Sequence, residues 1–439
     1  RSTGLNYSEL IGSRKSKLQT LKSSLISNLK SKNFQPDKPN FLFIWVNKNL
    51  WNEYKNFYSI SDIFPLRSIG LFTSKDSLVI DKDKQELISR IADFQKSDLS
   101  NEELCEKVGI KAKKAWNVTK SRERLRSLDV SEYVLEFDHR PFQRKFIFYD
   151  KSLVWSMANP VNKNLVDGKN LALTISRQLA TPPWSHVFCS NTIVELCYIT
   201  NRTKEGNHVF PLYLQEKNDL FTNPDNQRIP NISPSFLAEM TKYIDQSKSL
   251  QSKNKEYAEP ESIFYYCYAI LHSMAYRKRY ENFLSSDFPR IPIPNEKKLA
   301  QTLFAMGAEL KSLHLLQTNI SYKDKISIVG SGEFRVEKVL FESGIVWINK
   351  NKTIGFSGVS KEVWNFKIGS YQVCEKWLKD KEAKGGKNPR AGSVLLTNDI
   401  ELYQKILVIM SETIRIMNEI DKAIEVNGGW PNAFKNKIN

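Results

Sequence analysis

Four short stretches of this chain combine cations, amides and aromatic rings in a way that suits an anionic polymer. They are Arg140-Pro-Phe-Gln-Arg144-Lys145, Arg177-Gln178 with His186 following, Tyr276-Arg277-Lys278-Arg279-Tyr280, and Tyr371-Gln372 with Lys376, Lys379 and Lys381. Arginine and lysine can reach guanine edges, glutamine can pair with adenine, and surplus lysine contacts phosphate without reading sequence. Thr73 and Lys75 offer a hydroxyl and a cation after the turn at Gly70, and Arg290 sits between prolines that hold its backbone extended. Each run alone reads as an ordinary solvated face. Four of them in a chain with 65 Lys+Arg against 48 Asp+Glu, a formal charge of +17, point to nucleic acid.

Bond-breaking chemistry finds less support. Asp37, Glu53 and Lys55 follow the residue order of a Mg²⁺-dependent nuclease. That chemistry needs its acids on adjacent strands around a metal, whereas Asp37 stands between prolines and Glu53 in polar chain. A nuclease is therefore the catalytic alternative, and an RNA-binding or structural protein the non-catalytic one. His186, Cys189, Cys197 and His208 match no compact zinc-knuckle spacing. Ala158-Asn159-Pro160-Val161 has the start of an Asn-Pro-Pro-Tyr loop that grips a flipped base, without the second proline or the aromatic stacker. Gly330-Ser-Gly332 joins two strands and reads as a hairpin turn. No nucleophile–base pair, P-loop or HExxH motif is present. The chain alone is expected to be non-catalytic.

The elements that position these groups centre on residues 259–294. Pro260 and Glu261 open a helix whose face carries Ile263, Cys267, Ile270, Leu271 and Met274 and which runs on into the basic tip at 276–280. Before it come a helix over 8–32 striped by Leu18, Leu21, Leu25 and Leu29, a strand at 41–46, charged helices over 82–128 and a sheet region over 133–215. After it come a helix striped by Leu299, Leu303, Met306, Leu310 and Leu313, an antiparallel meander over 326–356, a basic loop at 384–392 and a helix opened by Thr397 and ended by Gly428-Gly429. The expected class is α+β: two mixed lobes, 41–215 and 260–426, with antiparallel sheet elements, long helices and a DNA-binding cleft between or across them. Residues 1–40 form a helical lead-in, 216–259 a polar connection and 427–439 a tail. No apolar run approaches the ~20 residues of a membrane span, which speaks against a membrane partner. Five scattered cysteines without a CxxC pair suit a reducing, cytoplasmic interior.

Taken in order, these segments resemble the C-terminal specificity region of type ISP restriction–modification enzymes and related single-chain adenine-N6 methyltransferases. The shared pieces include Asn6 to Arg14, Glu53-Tyr54, Asp62-Ile-Phe-Pro65, Arg140-Pro-Phe142 with Arg144 and Tyr149, Asn170 to Leu173 with Arg177-Gln178, and Phe210 to Leu214. They continue through Leu271-His-Ser273, Tyr276-Arg277, Arg279-Tyr280, Asp287-Phe-Pro-Arg-Ile-Pro292, Leu313 to Leu316, Tyr371-Gln-Val373, Lys376-Trp-Leu-Lys-Asp380 and Ile420-Asp421. The resemblance implies a region that holds double-stranded DNA against a methyltransferase and reads an asymmetric target. It also implies that S-adenosylmethionine is bound by an upstream methyltransferase partner domain, that ATP and Mg²⁺ belong to the full-length protein where a motor and nuclease are present, and that no cofactor is held by this chain. Gln143, Ser370 and Met274-Ala275 depart from the family pattern, and Lys384 to Gly392 looks like an insertion.

Overall fold

The computed structural model describes residues 5–8, 10, 12–34, 47–110, 116–180, 182–203, 205–215, 228–244, 259–385 and 390–435. They fall into two compact units, Arg1–Asn56 and Phe57–Asn439. In the first, strand β1 (Leu5–Tyr7) pairs antiparallel with β2 (Lys32–Phe34), and helices α1 (Arg14–Ser23) and α2 (Lys48–Tyr54) are capped by Ser13 and Asn47. The single helix expected over 8–32 is thus ten residues long. Ser23 Oγ turns back onto the carbonyls of Gln19 and Thr20, a local bond that competes with helix continuation. Leu18, Leu21 and Leu25 are exposed. The strand expected at 41–46 and the acid Asp37 lie outside the described residues.

The second unit is mixed α+β. Strands β3 (Tyr58–Ser59), β4 (Ser68–Ile69) and β5 (Ile80–Asp81) lead to helix α3 (Lys84–Lys96), whose Leu87, Ile91 and Phe94 are buried at helical spacing. They pack on Phe137, Ile147 and Phe148 of the hairpin β6 (Val134–Arg140) and β7 (Gln143–Phe148). This hairpin is the middle of a four-stranded sheet that also contains β5 and a short strand, Ile193–Val194. A second sheet combines β4 with β8 (Ala172–Ser176), β9 (Val187–Ser190) and Asn207–Pro211. Its strands β8 and β9 are buried on both faces, which is why they read as largely apolar runs, whereas β4 is not, with Ile69 exposed.

Behind the sheets lie the helices. α4 (Glu259–His272) packs along α6 (Lys297–His314), with the short α5 (Met274–Arg279) between them in sequence, and α6 packs against the long helix Thr397–Val426. A Cβ on Gly307 would stand 2.0 Å from the Tyr265 carbonyl oxygen, so only glycine lets α4 and α6 approach this closely. His314 bridges both neighbours: Nδ1 is 2.6 Å from the Tyr268 hydroxyl and Nε2 is 3.0 Å from Thr413 Oγ1. The sequence-predicted helix running unbroken into 276–280 is corrected here. It divides at Ser273, whose Oγ accepts from Tyr276 N and donates to Asp421, a partner no local pattern announces.

The small sheet also departs from the expected order. β10 (Ser327–Val329), β11 (Leu340–Glu342), β12 (Ile345–Trp347) and β13 (Gly355–Ser357) pair in the order β10–β13–β12–β11. Gly330-Ser-Gly332 therefore closes no hairpin. Residues 334–339 are drawn off toward another partner, with Val336 N bonded to Ser393 O and Leu395 N to Phe334 O. Helix α7 (Val373–Lys379) and α8 (Thr397–Val426) complete the unit. Among the described residues no helix is long and apolar enough to cross a membrane, and all five cysteines are free.

Candidate nucleic-acid interface

The β6–β7 turn sets up the site. Phe142 takes φ +59°, and the register slips between Asp138 and Arg140, so the strand end twists and its cations splay from one edge. Arg140 Nη1 donates to Glu195 Oε2 at 2.6 Å, and its guanidinium lies 5.9 Å from the Tyr371 ring. Glu195 Oε2 also accepts from Cys197 N at 2.5 Å. Arg144 Nε donates to Asp138 Oδ1 at 2.9 Å and Nη2 to Asn191 Oδ1 at 2.5 Å, which holds the guanidinium while leaving it 40% exposed.

Residues 369–382 supply the facing wall. Gly369 has φ +58°, and a Cβ there would stand 1.8 Å from Ile199 O, so its backbone lies directly on residues 185–199. Gly369 N bonds Ser185 O, Ser370 N bonds Ile199 O, and the Tyr371 hydroxyl donates to Cys197 O at 2.8 Å. This clamp fixes where α7 starts. Gln143 Nε2 then reaches Asp380 Oδ2 at 3.0 Å, while Lys376 pairs with the other oxygen of Asp380. Lys379 pairs with Glu382 at 2.8 Å.

Between these walls opens a cleft of about 690 Å³ lined by Lys82, Arg144, Lys145 and Lys381, with Tyr198, His314 and Trp377. Asp81, Asp138, Asp380 and Asp399 line it too, already committed to Arg90, to Arg144, to Gln143 with Lys376, and to the Leu396 amide. Lys145 and Lys381 have no ion-pair partner among the described residues. Burial lowers Lys145 below the usual lysine range, and Arg140 and Lys376 push the same way against Asp380. Burial lowers Lys381 to about 8, and its Nζ lies 3.5 Å over the Trp377 ring. Unpaired, partly dehydrated ammonium groups in a cleft gain much from an incoming anion. Lys82 was not among the sequence candidates, because it stands in an Asp-Lys-Asp-Lys run that reads as solvated surface.

The second cluster forms a separate locus. Arg177 Nε donates to Asp287 Oδ1 at 2.9 Å, and Arg177 and Arg67 both lie over the Phe288 ring, at 5.8 and 5.2 Å. Gln178 beside it is exposed. Burial and these two arginines lower His208, which contacts the same ring, to about 4. Arg290 Nη1 donates to Phe57 O at 3.0 Å, and Gln372 Nε2 to Trp364 O at 2.8 Å.

Several sequence candidates are core residues instead. Thr73 is buried and donates to Asp76, and Lys75 is buried with Nζ on Leu153 O and over the Trp116 ring. Tyr276 and Tyr280 are fully buried against Trp430, with the Tyr276 hydroxyl on Arg290 O. Arg277 is buried with Nε on Leu271 O, and Tyr371 is buried as a strut. A short helix must bury one side to stay folded, and α5 buries the side carrying Tyr276, Arg277 and Tyr280. Arg279, half-buried, lies 5.8 Å over the Tyr280 ring. Among the described residues no cluster of His, Cys, Asp and Glu is placed to hold a metal.

Residues 62–419 match the family model of the Type ISP C-terminal specificity domain. The chain belongs to that family. Solved structures show the same fold at low identity. A nuclease-deletion mutant of the Type ISP restriction–modification enzyme LlaGI, in complex with a DNA substrate mimic, aligns at TM-score 0.64 and 20% identity over 92% of this chain and 32% of that one. A DrdV–DNA complex aligns at 0.68 and 21% over 92% and 42%. The ATP-dependent Type ISP enzyme LlaBIII, bound to DNA, aligns at 0.65 and 18% over 89% and 26%. This Type ISP domain thus spans well under half the length of each of those chains. No curated protein matches it. The matched span contains the β6–β7 turn, the Gly369 clamp and α7, so the cleft is built from the domain's own elements.

Proposed function

We propose that this chain is a DNA target-recognition module that holds duplex DNA across the cleft between the β6–β7 turn and α7. The observation that carries the reading is the pair of unpartnered ammonium groups, Lys145 and Lys381, set beside the braced Arg144 in one cleft. Lysines meet phosphate as point charges, whereas a guanidinium held by Asp138 and Asn191 has the fixed geometry a base edge requires. Lys82 adds to the positive lining, Lys376 and Lys379 on α7 are held by Asp380 and Glu382, and Arg177 with Gln178 forms a further contact locus on the same module. Membership of a specificity-domain family and the DNA complexes of its structural neighbours support the partner class. On this reading recognition belongs to the chain, working in the cytoplasm, and methyl transfer from S-adenosylmethionine to another part of the enzyme.

The test is enrichment of bound duplexes from a random pool, followed by sequencing. One asymmetric motif should emerge, bound more tightly than single strands or RNA of the same sequence. A pool that stays random, or RNA bound as well as duplex, would overturn the reading.

A further inference from the structure

The arginine that sequence placed at an exposed tip instead borders a second pocket, of about 550 Å³, which shares no lining residue with the basic cleft. Arg277 is only 8% exposed. Its Nε is spent on the Leu271 carbonyl, while its terminal nitrogens meet no acceptor among the described residues. Among the described residues no carboxylate lies within ion-pair reach of it. The acid that acts on it, Asp421, is committed to Ser273 Oγ and to the Ala275 amide. The guanidinium lies 5.4 Å over the ring of Trp184, itself 2% exposed, whose Nε1–H also has no acceptor among the described residues. Phe366, Ile414 and Met417 provide apolar wall.

A buried guanidinium without a counter-ion is costly, and folds normally pair it or leave it in water. Here two partnerless donors, one of them charged, meet at an apolar pocket. Burial lowers Arg277 to about 10, so it keeps its charge at neutral pH. The missing partner must be an anion slender enough to reach a nearly covered group. A backbone phosphate of duplex DNA is flanked by sugars on both sides and cannot enter that far, and exposed Glu362 on the lining repels a polyanion.

We infer that this pocket binds a carboxylate carried on an apolar or aromatic arm, with Arg277 gripping the carboxylate through its terminal nitrogens and the arm lying against Phe366, Ile414 and Met417. The Arg–carboxylate fork matches in two parallel hydrogen bonds, which is the geometry a planar terminal anion supplies. The same chemistry can come from a free aromatic acid or from the C-terminal carboxylate of a polypeptide ending in an apolar residue.

The probe is phenylacetate, titrated into the whole chain while the Trp184 indole N–H resonance is followed, assigned through Trp184→Phe. A saturable shift is expected, with phenylacetamide at least about tenfold weaker because it lacks the charge. Arg277→Met should lose at least about tenfold in phenylacetate affinity; it keeps the stem and removes a buried charge that desolvation opposes, so it should fold. Should that variant fail to fold, the acid-against-amide comparison on the native chain still decides. A pentapeptide with a free C-terminal phenylalanine that binds more tightly than phenylacetate assigns the site to a protein segment, and one that binds less tightly assigns it to a small acid. Acid and amide binding alike, or neither phenylacetate nor the peptide saturating, overturns the proposal.

Discussion

The segments 140–145 and 276–280 each set three cations beside aromatic rings, and the fold puts them to opposite uses. In the first, the backbone reverses at Phe142 between the two central strands of a sheet, and Arg144 and Lys145, paired across the ladder with Asp138 and Phe137, line the cleft beside the turn. In the second, a Ser273-capped turn of helix faces inward, and the two tyrosines and Arg277 are absorbed by Trp430, Trp184 and the helix layer. The cations do not choose. What decides is whether the aromatic neighbours of each run find a covering surface. Around 276–280 they do, and the charge is carried in with them. At the hairpin Phe142 is the one that turns in, against Phe188 and His314, while Arg144 and Lys145 stay on the cleft wall.

The contrast can be broken in order of expected effect. Tyr276→Ala should cost about 3–5 kcal/mol of stability in chemical denaturation, because it empties a fully buried site. Duplex affinity per folded molecule should stay the same; a selective loss of affinity would put the tip back at the interface. The double reversal Lys145→Glu with Lys381→Glu should lower duplex affinity roughly 100-fold or more at moderate salt, measured by fluorescence anisotropy, and flatten the salt slope. Unchanged binding would remove the cleft from the reading. Gly369→Ala should destabilise by at least about 2 kcal/mol, since a side chain fits neither its φ nor the space beside Ile199 O. Affinity should fall with it as α7 loses its anchor.

Smaller effects sharpen the assignment. Arg144→Ala should lose about 1–3 kcal/mol on the selected sequence and relax specificity if it reads a base edge, whereas a phosphate role would weaken all sequences equally. The smallest signature is in pH. Lys381 is lowered to about 8 from the ordinary 10.5, so raising the pH from 7 to 9 removes a cation and should weaken duplex binding by a few-fold more than in Lys381→Met. Stability moves the other way. The unfolded chain holds that proton up to about 10.5, so this group's contribution rises between about 8 and 10.5, and Lys381→Met should abolish that part of the slope.

Local pattern alone determined a good deal. Thr397 and Gly428-Gly429 bound a helix read from the sequence, and the structure places it at Thr397–Val426. The Leu299–Leu313 spacing marks α6, and the ordered motifs mark the family. Periodicity and caps act over a few residues, so one chain carries them in full. Tertiary structure alone decided which cations face a cleft, where the central helix divides and how the small sheet pairs. Those outcomes hang on Asp421 meeting Ser273, Asp380 meeting Gln143 and Ser393 meeting Val336. Each joins positions tens to hundreds of residues apart, and such contacts gain their energy only once the intervening chain has closed.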